Sequence, residues 1–184
     1  MSKSIVLFCL IIFVGALSLL NSLSAQNDKK DDKYDPVRSQ STIDEFKKED
    51  PDIGEFFNTA FGYAVFPSIG KGAIGVGGAA GKGVVYKQGT PTGGCNMTQV
   101  SIGIQLGGQA YSEVIFFEDE KTYTNFINNK FQFAAQASAV ALKSGASVDA
   151  KYAEGVLVFT MAQGGLMYEA SIGGQKFKFV PFEE

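Results

Sequence analysis

The stretch Gly70-Lys71-Gly72-Ala73-Ile74-Gly75-Val76-Gly77-Gly78-Ala79-Ala80-Gly81-Lys82-Gly83 carries seven glycines in fourteen positions. A glycine inside a regular element costs about 0.5–1 kcal/mol relative to alanine, so this density needs a structural or a ligand-related reason. The pairs Gly70/Gly72, Gly75/Gly77 and Gly81/Gly83 recur at i, i+2, which places both members of a pair on one face of a strand. Glycine there permits a bend or the close approach of another backbone. The run therefore predicts bent, closely packed β structure.

The same run also fits a phosphate-binding pattern in part. Gly70, Gly72 and Gly75 match G-x-G-x-x-G, which in dinucleotide-binding proteins follows a strand and opens a helix. The glycines continue to Gly83 and would destabilise that helix. The pattern G-x-x-x-x-G-K-[ST] fails as well, because Val76 occupies its first glycine position. We therefore expect no nucleotide at this run.

The first 25 residues predict a cleavable signal peptide. Lys3 supplies a positive start, residues 5–20 form an apolar core, and Leu23-Ser24-Ala25 resembles a cleavage site. The alternative, an uncleaved anchor, is less favoured because a membrane span needs about 20 apolar residues. We expect an exported protein, periplasmic or extracellular, that associates with a membrane.

The remainder predicts a short linker and one domain. Residues 26–40 are polar and dense in Lys and Asp, which is typical of a disordered tether. Residues 41–184 have a suitable length for a single folded domain. Removal of the signal peptide takes Cys9 with it and leaves Cys95, which we interpret as a passive thiol without a disulfide partner.

The composition disfavours several kinds of site. The chain has no His and a formal net charge of −3. It therefore lacks the commonest general base and imidazole metal ligands, and it has no overall positive field for nucleic acid. We expect no enzyme activity, no metal, no other cofactor and no nucleic-acid partner. A carboxylate-based hydrolase remains the enzymatic alternative, with the candidates Glu113, Asp149, Glu154 and Glu169.

Three helices are predicted from capping residues. Ser41 or Thr42 can cap the first helix, which Pro51 ends. Asp52 can cap the second, and Asp119 can cap the third, with small residues between 133 and 142 extending or flanking it.

Short strands separated by turns account for most of the rest. Pro91, Gly93 and Gly94 predict a loop over residues 88–98, and Gly164-Gly165 and Gly173-Gly174 predict hairpin turns. The predicted fold class is α+β and β-dominated, with a curved antiparallel sheet or small barrel of short Gly-rich strands and two or three attached helices. The candidate strands are residues 63–66, 73–79, 83–87, 99–106, 112–117, 156–161, 166–172 and 175–180.

Several spaced motifs carry a family resemblance. Gly62-Tyr63-Ala64-Val65-Phe66-Pro67, the glycine run and Val84-Val85-Tyr86 stand in the order found at the start of the SYLF lipid-binding domain, which this chain resembles. Further matching motifs follow in sequence order: residues 103–109, the small residues 134–141, Gly164-Gly165-Leu166-Met167 and Ser171-Ile172-Gly173-Gly174. The resemblance covers roughly residues 56–181.

The resemblance implies a non-enzymatic domain that binds membrane lipid, and we expect an anionic phospholipid. Eukaryotic members are linked to actin, a partner not expected for an exported chain. The alternative is a structural or protein-interaction component of the cell envelope without lipid binding. Candidate lipid-binding residues are Lys71, Lys82, Lys87, Lys176 and Lys178, with ordinary solvated lysines as the alternative. Candidate membrane-inserting residues are Phe56, Phe57 and Phe61, which could instead belong to the core.

Overall fold

A computed structural model describes residues 33–74, 76–101, 109–134, 137–163 and 170–183, with the side chains of 71–77, 101, 109, 170 and 171 left out. The predicted signal peptide and residues 26–32 of the predicted tether lie outside these ranges. The helices are α1 (Pro36–Glu49), a 3₁₀ turn (Pro51–Ile53), α2 (Gly54–Thr59) and α3 (Glu120–Ile127). The strands are β1 (Gly62–Ile74), β2 (Val76–Lys87), β3 (Thr90–Ser101), β4 (Gln109–Phe117), β5 (Ser138–Ala141), β6 (Val156–Gln163), β7 (Ala170–Ser171) and β8 (Lys176–Pro181). No helix among the described residues has both the length and the apolar composition needed to cross a bilayer.

The eight strands form one sheet in the order β7-β5-β6-β4-β1-β2-β3-β8. All neighbouring pairs are antiparallel except β5 and β6, which are parallel. The two edge strands, β7 and β8, are consecutive in the chain and are joined by residues 172–175. Because only four residues connect these two edge strands, the sheet must curve so that its edges come close together. The edges do not pair with each other, so the barrel is not closed. This confirms the predicted β-dominated α+β fold, in its curved-sheet form rather than as a closed barrel.

Apart from Gly75, which lies outside the described residues, the glycine run forms the ends of two paired strands. β1 and β2 are antiparallel, with Ile74 opposite Val76 and Gly70 opposite Ala80. The predicted β character is confirmed, although the run is divided between two strands. Gly83 explains part of the glycine requirement, because a Cβ atom there would meet the carbonyl oxygen of Val65 and the ring of Phe66.

Pro67 interrupts the pairing of β1 on both of its sides. The register shifts between Val65 and Ser68 against β2, and between Phe66 and Ile69 against β4. A proline has no amide hydrogen for the ladder, so inside a sheet it is confined to bulges and edges. Its carbonyl oxygen accepts hydrogen bonds from Ser112 Oγ at 2.9 Å and from Gln163 Nε2 at 2.6 Å. Side chains of β4 and β6 thus stabilise the bulge by hydrogen bonds to its carbonyl oxygen.

The predicted loop over residues 88–98 is wrong, because β3 occupies most of it. The connection from β2 is the pair Gln88-Gly89, both at positive φ, as in a tight hairpin turn. Gly93 and Gly94 lie within the strand, where aromatic rings cover them. A Cβ atom on Gly93 would meet the Phe179 ring, and one on Gly94 would overlap the Tyr34 ring. These glycines serve close packing rather than a turn.

Each face of the sheet has its own hydrophobic core. On what we call the α1 face, Val65, Val84 and Phe116 pack against Ile43 and Phe46 of α1, together with residues from α2. On the opposite face, the α3 face, Phe66, Val85 and Phe117 pack against Tyr123 and Phe126 of α3. Alternation along each strand produces this division, because successive side chains point to opposite faces.

The folded part begins before residue 41. Asp35 caps α1 by accepting a hydrogen bond from the Arg38 amide at 2.9 Å, and Pro36 occupies the first turn. This replaces the predicted cap at Ser41 or Thr42, and Thr42 is a buried residue within the helix. Tyr34 is also buried, so residues 34–40 belong to the domain rather than to the predicted tether. An Asp cap followed by proline is a strong signal for the start of a helix. The polar composition of residues 26–40 favoured a disordered tether instead.

The remaining elements confirm some predictions and correct others. Asp119 caps α3 as predicted, accepting from the Thr122 amide at 2.7 Å. Residues 138–141 form β5 instead of extending that helix. The second predicted cap is also displaced, since Asp50 and not Asp52 caps the turn before α2.

Gly173-Gly174 forms a turn but no hairpin, because β7 pairs with β5 and β8 pairs with β3. Gly164-Gly165 lies outside the described residues.

Asp50 connects the helices to a distant loop. Its buried carboxylate accepts hydrogen bonds from the amide and the hydroxyl of Ser147, each at 2.8 Å. Burial alone would raise the pKa of Asp50, but the hydrogen bonds from Ser147, with those from the amides of Gly145 and Asp52, outweigh it and lower the pKa below 3.8. The ionised form is therefore favoured in the folded state. Its contribution to stability is present above the unfolded pKa and is lost as the pH falls through the folded value.

The substitution Asp50→Ala should lower the free energy of unfolding at pH 7 by about 1–3 kcal/mol, because it leaves the Ser147 donors unsatisfied. Urea titrations at pH 7, 5, 4 and 3 measure the difference from the unsubstituted protein, which should shrink at the lowest pH. Asp52→Ala, at an exposed site, is the control. A difference that does not change with pH would contradict the role of the charge.

The packing of Tyr34 on Gly94 can be tested by adding one methyl group. Gly94→Ala should lower the free energy of unfolding by about 1–3 kcal/mol, because the methyl group overlaps the ring. Gly70→Ala is the matched control, since no atom lies within 4 Å of a Cβ there. In urea titrations, Gly94→Ala should cost much less in a Tyr34→Ala background. Equal costs in both backgrounds would show that Tyr34 does not cover this glycine.

Candidate functional site

Part of the α1 face is left uncovered by the helices. Beyond the Pro67 bulge, the side chains on this face are exposed or half-buried, and several are small. Five strands contribute to this surface, which we call the open patch. Its members are Ser68, Gly70, Ala80, Lys82, Asn96, Thr98, Val100, Gln163, Lys176 and Lys178.

Three of the five predicted lysines, Lys82, Lys176 and Lys178, lie on the open patch. The register places Lys82 opposite Asn96, and Asn96 opposite Lys178, so these residues form one row across β2, β3 and β8. With neighbouring strands about 4.8 Å apart, the backbones of the two lysines are about 10 Å apart. Lys176 lies two residues further along β8, about 7 Å away on the same face. Within the described residues, none of the three ammonium groups has an ion-pair partner.

The other two predicted lysines are not among the described members of the open patch. Lys87 lies at the far end of β2, where its ammonium is 5.1 Å from the centroid of the Phe61 ring. Lys71 is in β1, opposite Ala79 and Gln109, and its side chain lies outside the described part of the structure. The described cationic surface therefore consists of Lys82, Lys176 and Lys178.

Asn96, at the centre of the row, joins the patch to the start of the domain. Its Nδ2 donates a hydrogen bond to the Tyr34 hydroxyl at 2.7 Å. The same tyrosine ring covers Gly94 on this face. The patch thus borders the point where the chain enters the domain.

The predicted membrane-inserting phenylalanines pack against the core. Phe57 is 8% exposed, and its ring lies 4.8 Å from that of Phe116. Phe56 contacts the rings of Phe116 and Phe159 at 5.7 and 5.9 Å. Phe61 packs against Tyr123 at 5.6 Å. This arrangement favours the alternative that the three residues stabilise the fold.

Of the carboxylates proposed for the hydrolase alternative, Glu113 is buried, Asp149 and Glu154 are exposed, and Glu169 lies outside the described residues. Glu113 is fully buried on the α3 face, where its Oε2 accepts a hydrogen bond from Gln175 Nε2 at 3.0 Å. Burial, and secondarily the charge of Glu113, raise the pKa of Tyr111, which also accepts from Gln175. Glu154 lies apart from this group in an exposed turn at positive φ. Glu113 therefore belongs to an internal polar cluster that Gln175 brings together.

Cys95 is buried on the α3 face of β3. Desolvation raises the pKa of its thiol to about 12, against an ordinary value of 9.0. The thiolate needed for nucleophilic attack or metal binding is therefore scarce at neutral pH. In the described part of the chain, no three residues among His, Cys, Asp and Glu are grouped to hold a metal ion.

Sequence reasoning missed the members of the patch that lie on β3. Asn96, Thr98 and Val100 alternate there with the buried Cys95 and Met97. That alternation was a usable signal for a strand with one buried face. The neighbouring Pro91, Gly93 and Gly94 favoured the prediction of a loop instead.

Comparisons with known proteins agree with the motifs in the sequence. A family model described as "Ysc84: Las17-binding protein actin regulator" matches residues 98–179. A protein of Aeromonas veronii named Beta cell expansion factor A is 31% identical over 130 residues, which cover 70% of this chain and 49% of that protein. The chain thus spans about half the length of this relative. The family match begins near the end of β3 and ends within β8, so it includes Lys176 and Lys178 but neither Lys82 nor Asn96.

The burial of Cys95 predicts slow thiol chemistry in the folded protein. With Cys9 replaced by Ser, the native protein should react with a thiol reagent at pH 8 about a thousandfold more slowly than in urea, since a pKa three units higher reduces the thiolate fraction by that factor. Absorbance of the released chromophore follows the reaction. Introducing an exposed thiol by Thr98→Cys gives the fast control. Rapid native labelling of Cys95 would contradict its burial.

Proposed function

This chain belongs to the Ysc84 (SYLF) family, and we propose that it is an exported, non-enzymatic protein that binds anionic membrane lipid through the open patch. Membership of the family indicates a lipid-binding domain. The finer assignment depends on one observation, the row formed by Lys82, Asn96 and Lys178 with Lys176 beside it. The family description refers to actin, and we do not extend that role to a chain with a predicted signal peptide.

Several residues of the open patch are small. Gly70 has no side chain and those of Ala80 and Thr98 are short, so few side chains project beside the lysines. The lysine side chains can therefore reach several headgroups of one bilayer at the same time. Pairing of β2, β3 and β8 fixes the backbone positions of the three charges before binding.

Electrostatics gives a useful magnitude for this interaction. Each lysine close to an anionic bilayer contributes about 1 kcal/mol at physiological ionic strength. Three lysines therefore contribute about 3 kcal/mol, which is about 100-fold in a partition coefficient. A protein with a net charge of −3 can use such a local patch although its overall charge is unfavourable.

Co-sedimentation of the purified protein with vesicles of phosphatidylcholine, with and without phosphatidylserine, tests the proposal. We expect binding to the anionic vesicles that weakens as salt rises toward 0.5 M, roughly, because the Debye length shortens. The combined substitution Lys82→Glu, Lys176→Glu and Lys178→Glu should lower the partition coefficient at least about 100-fold.

The matched control is Lys48→Glu, Lys121→Glu and Lys130→Glu, which makes the same change of charge at exposed lysines outside the patch. It should retain most of the binding. Equal losses in the two triple variants would mean that overall charge, rather than the patch, decides affinity. No binding of the unsubstituted protein to either vesicle would refute the lipid proposal and leave a protein-interaction role in the envelope.

A further inference from the structure

The open patch contains one of the few large aliphatic side chains that the described residues expose. Val100 is 72% exposed, and the others are Val37 at 80% and Val148 at 65%. Val37 lies on α1 and Val148 in the loop after β5. Val100 differs from both by its place on the lysine-bearing face.

The register locates Val100 beside the lysines. Val100 lies opposite Gly78 on β2, and Thr98, two residues earlier on the same face, lies opposite Lys176 on β8. The backbone is held at this point by Gln99, whose Nε2 donates to the carbonyl oxygen of Gly173 at 3.0 Å. Val100 therefore projects from a fixed position at the end of the patch nearest Lys176.

We propose that Val100 enters the apolar boundary of an anionic bilayer while the neighbouring lysines contact the headgroups. This inference rests on the proposed function and identifies the partner as a bilayer rather than a soluble phosphate or polyanion. A soluble anion would pair with the lysines and gain nothing from an aliphatic side chain. A bilayer offers both the negative charge and, a few ångströms deeper, the apolar environment that valine favours.

The lengths of the side chains determine an orientation. A lysine side chain is longer than that of valine, and it can bend its charged end back toward the interface. The side chain of Val100 is short. For it to reach the acyl boundary, the end of the patch at which Val100 lies must approach the bilayer first. Lys176, which is nearer to this end, then lies deeper than Lys82 and Lys178.

The chain contains no tryptophan, so a single substitution creates a unique fluorophore. We would prepare Val100→Trp, Val37→Trp and Val148→Trp and record their emission with phosphatidylserine-containing vesicles. Only Val100→Trp should shift to shorter wavelength and lose emission when the vesicles carry brominated acyl chains. Addition of a soluble polyphosphate without vesicles should leave its spectrum unchanged.

Binding measurements give an independent readout. Val100→Ser should lower the partition coefficient by up to about tenfold, since it removes the burial of one valine side chain. Val37→Ser should leave the partition coefficient unchanged. Lys176→Glu should weaken binding more than Lys82→Glu.

The outcomes separate insertion from simple adsorption. If the anionic vesicles bind in a lysine-dependent manner but Val100→Trp neither shifts nor is quenched, the insertion is refuted and the proposed function stands. Quenching of all three tryptophans alike would also refute it, because no single face would then be inserted. If the unsubstituted protein binds no vesicles, both proposals fail together.

Discussion

Pro67 lacks an amide hydrogen and yet lies in a strand with neighbours on both sides, and much of the architecture depends on how this is accommodated. The register of β1 shifts against β2 and β4 at the same point. Before the bulge, Val65 and its neighbours are covered by α1. After it, Ser68 and Gly70 face outward without a covering helix. The bulge therefore marks the boundary between the core of the α1 face and the open patch.

Polar side chains at the bulge complete this arrangement. Gln163 Nε2 donates both to the Pro67 carbonyl oxygen and to Ser112 Oγ, while Ser68 Oγ donates to Gln163 Oε1. Three strands are thereby linked where the regular ladder is interrupted. On the opposite face, Gln175 connects the turn between the two edge strands to Tyr111 and Glu113 of β4. Buried polar groups need such partners, and here the partners lie on different strands of the sheet.

The parts of the fold that sequence could predict are those with local signals. Asp119 caps α3 because its side chain reaches an amide three residues away, which a local pattern reveals. The glycine run could be assigned to β structure because its spacing excluded a helix. Gly93 and Gly94 could not be assigned correctly, because the rings that cover them come from Tyr34 and Phe179, distant in the chain. For the candidate site, the lysines could be proposed from sequence, but their grouping depends on a register between β2, β3 and β8 that no local pattern contains.

The pairing of β3 with β8 has a consequence for the order of folding. Strands β1, β2 and β3 follow one another closely and can pair soon after synthesis, whereas Gly93 of β3 pairs with Pro181 near the end of the chain. Until β8 emerges, the outer edge of β3 is a row of unpaired backbone groups beside the apolar side chains of Cys95 and Met97. Such an edge is a template for pairing between different molecules. Contacts of this sequence separation also form slowly, so the nascent chain is prone to aggregation in the interval before β8 docks.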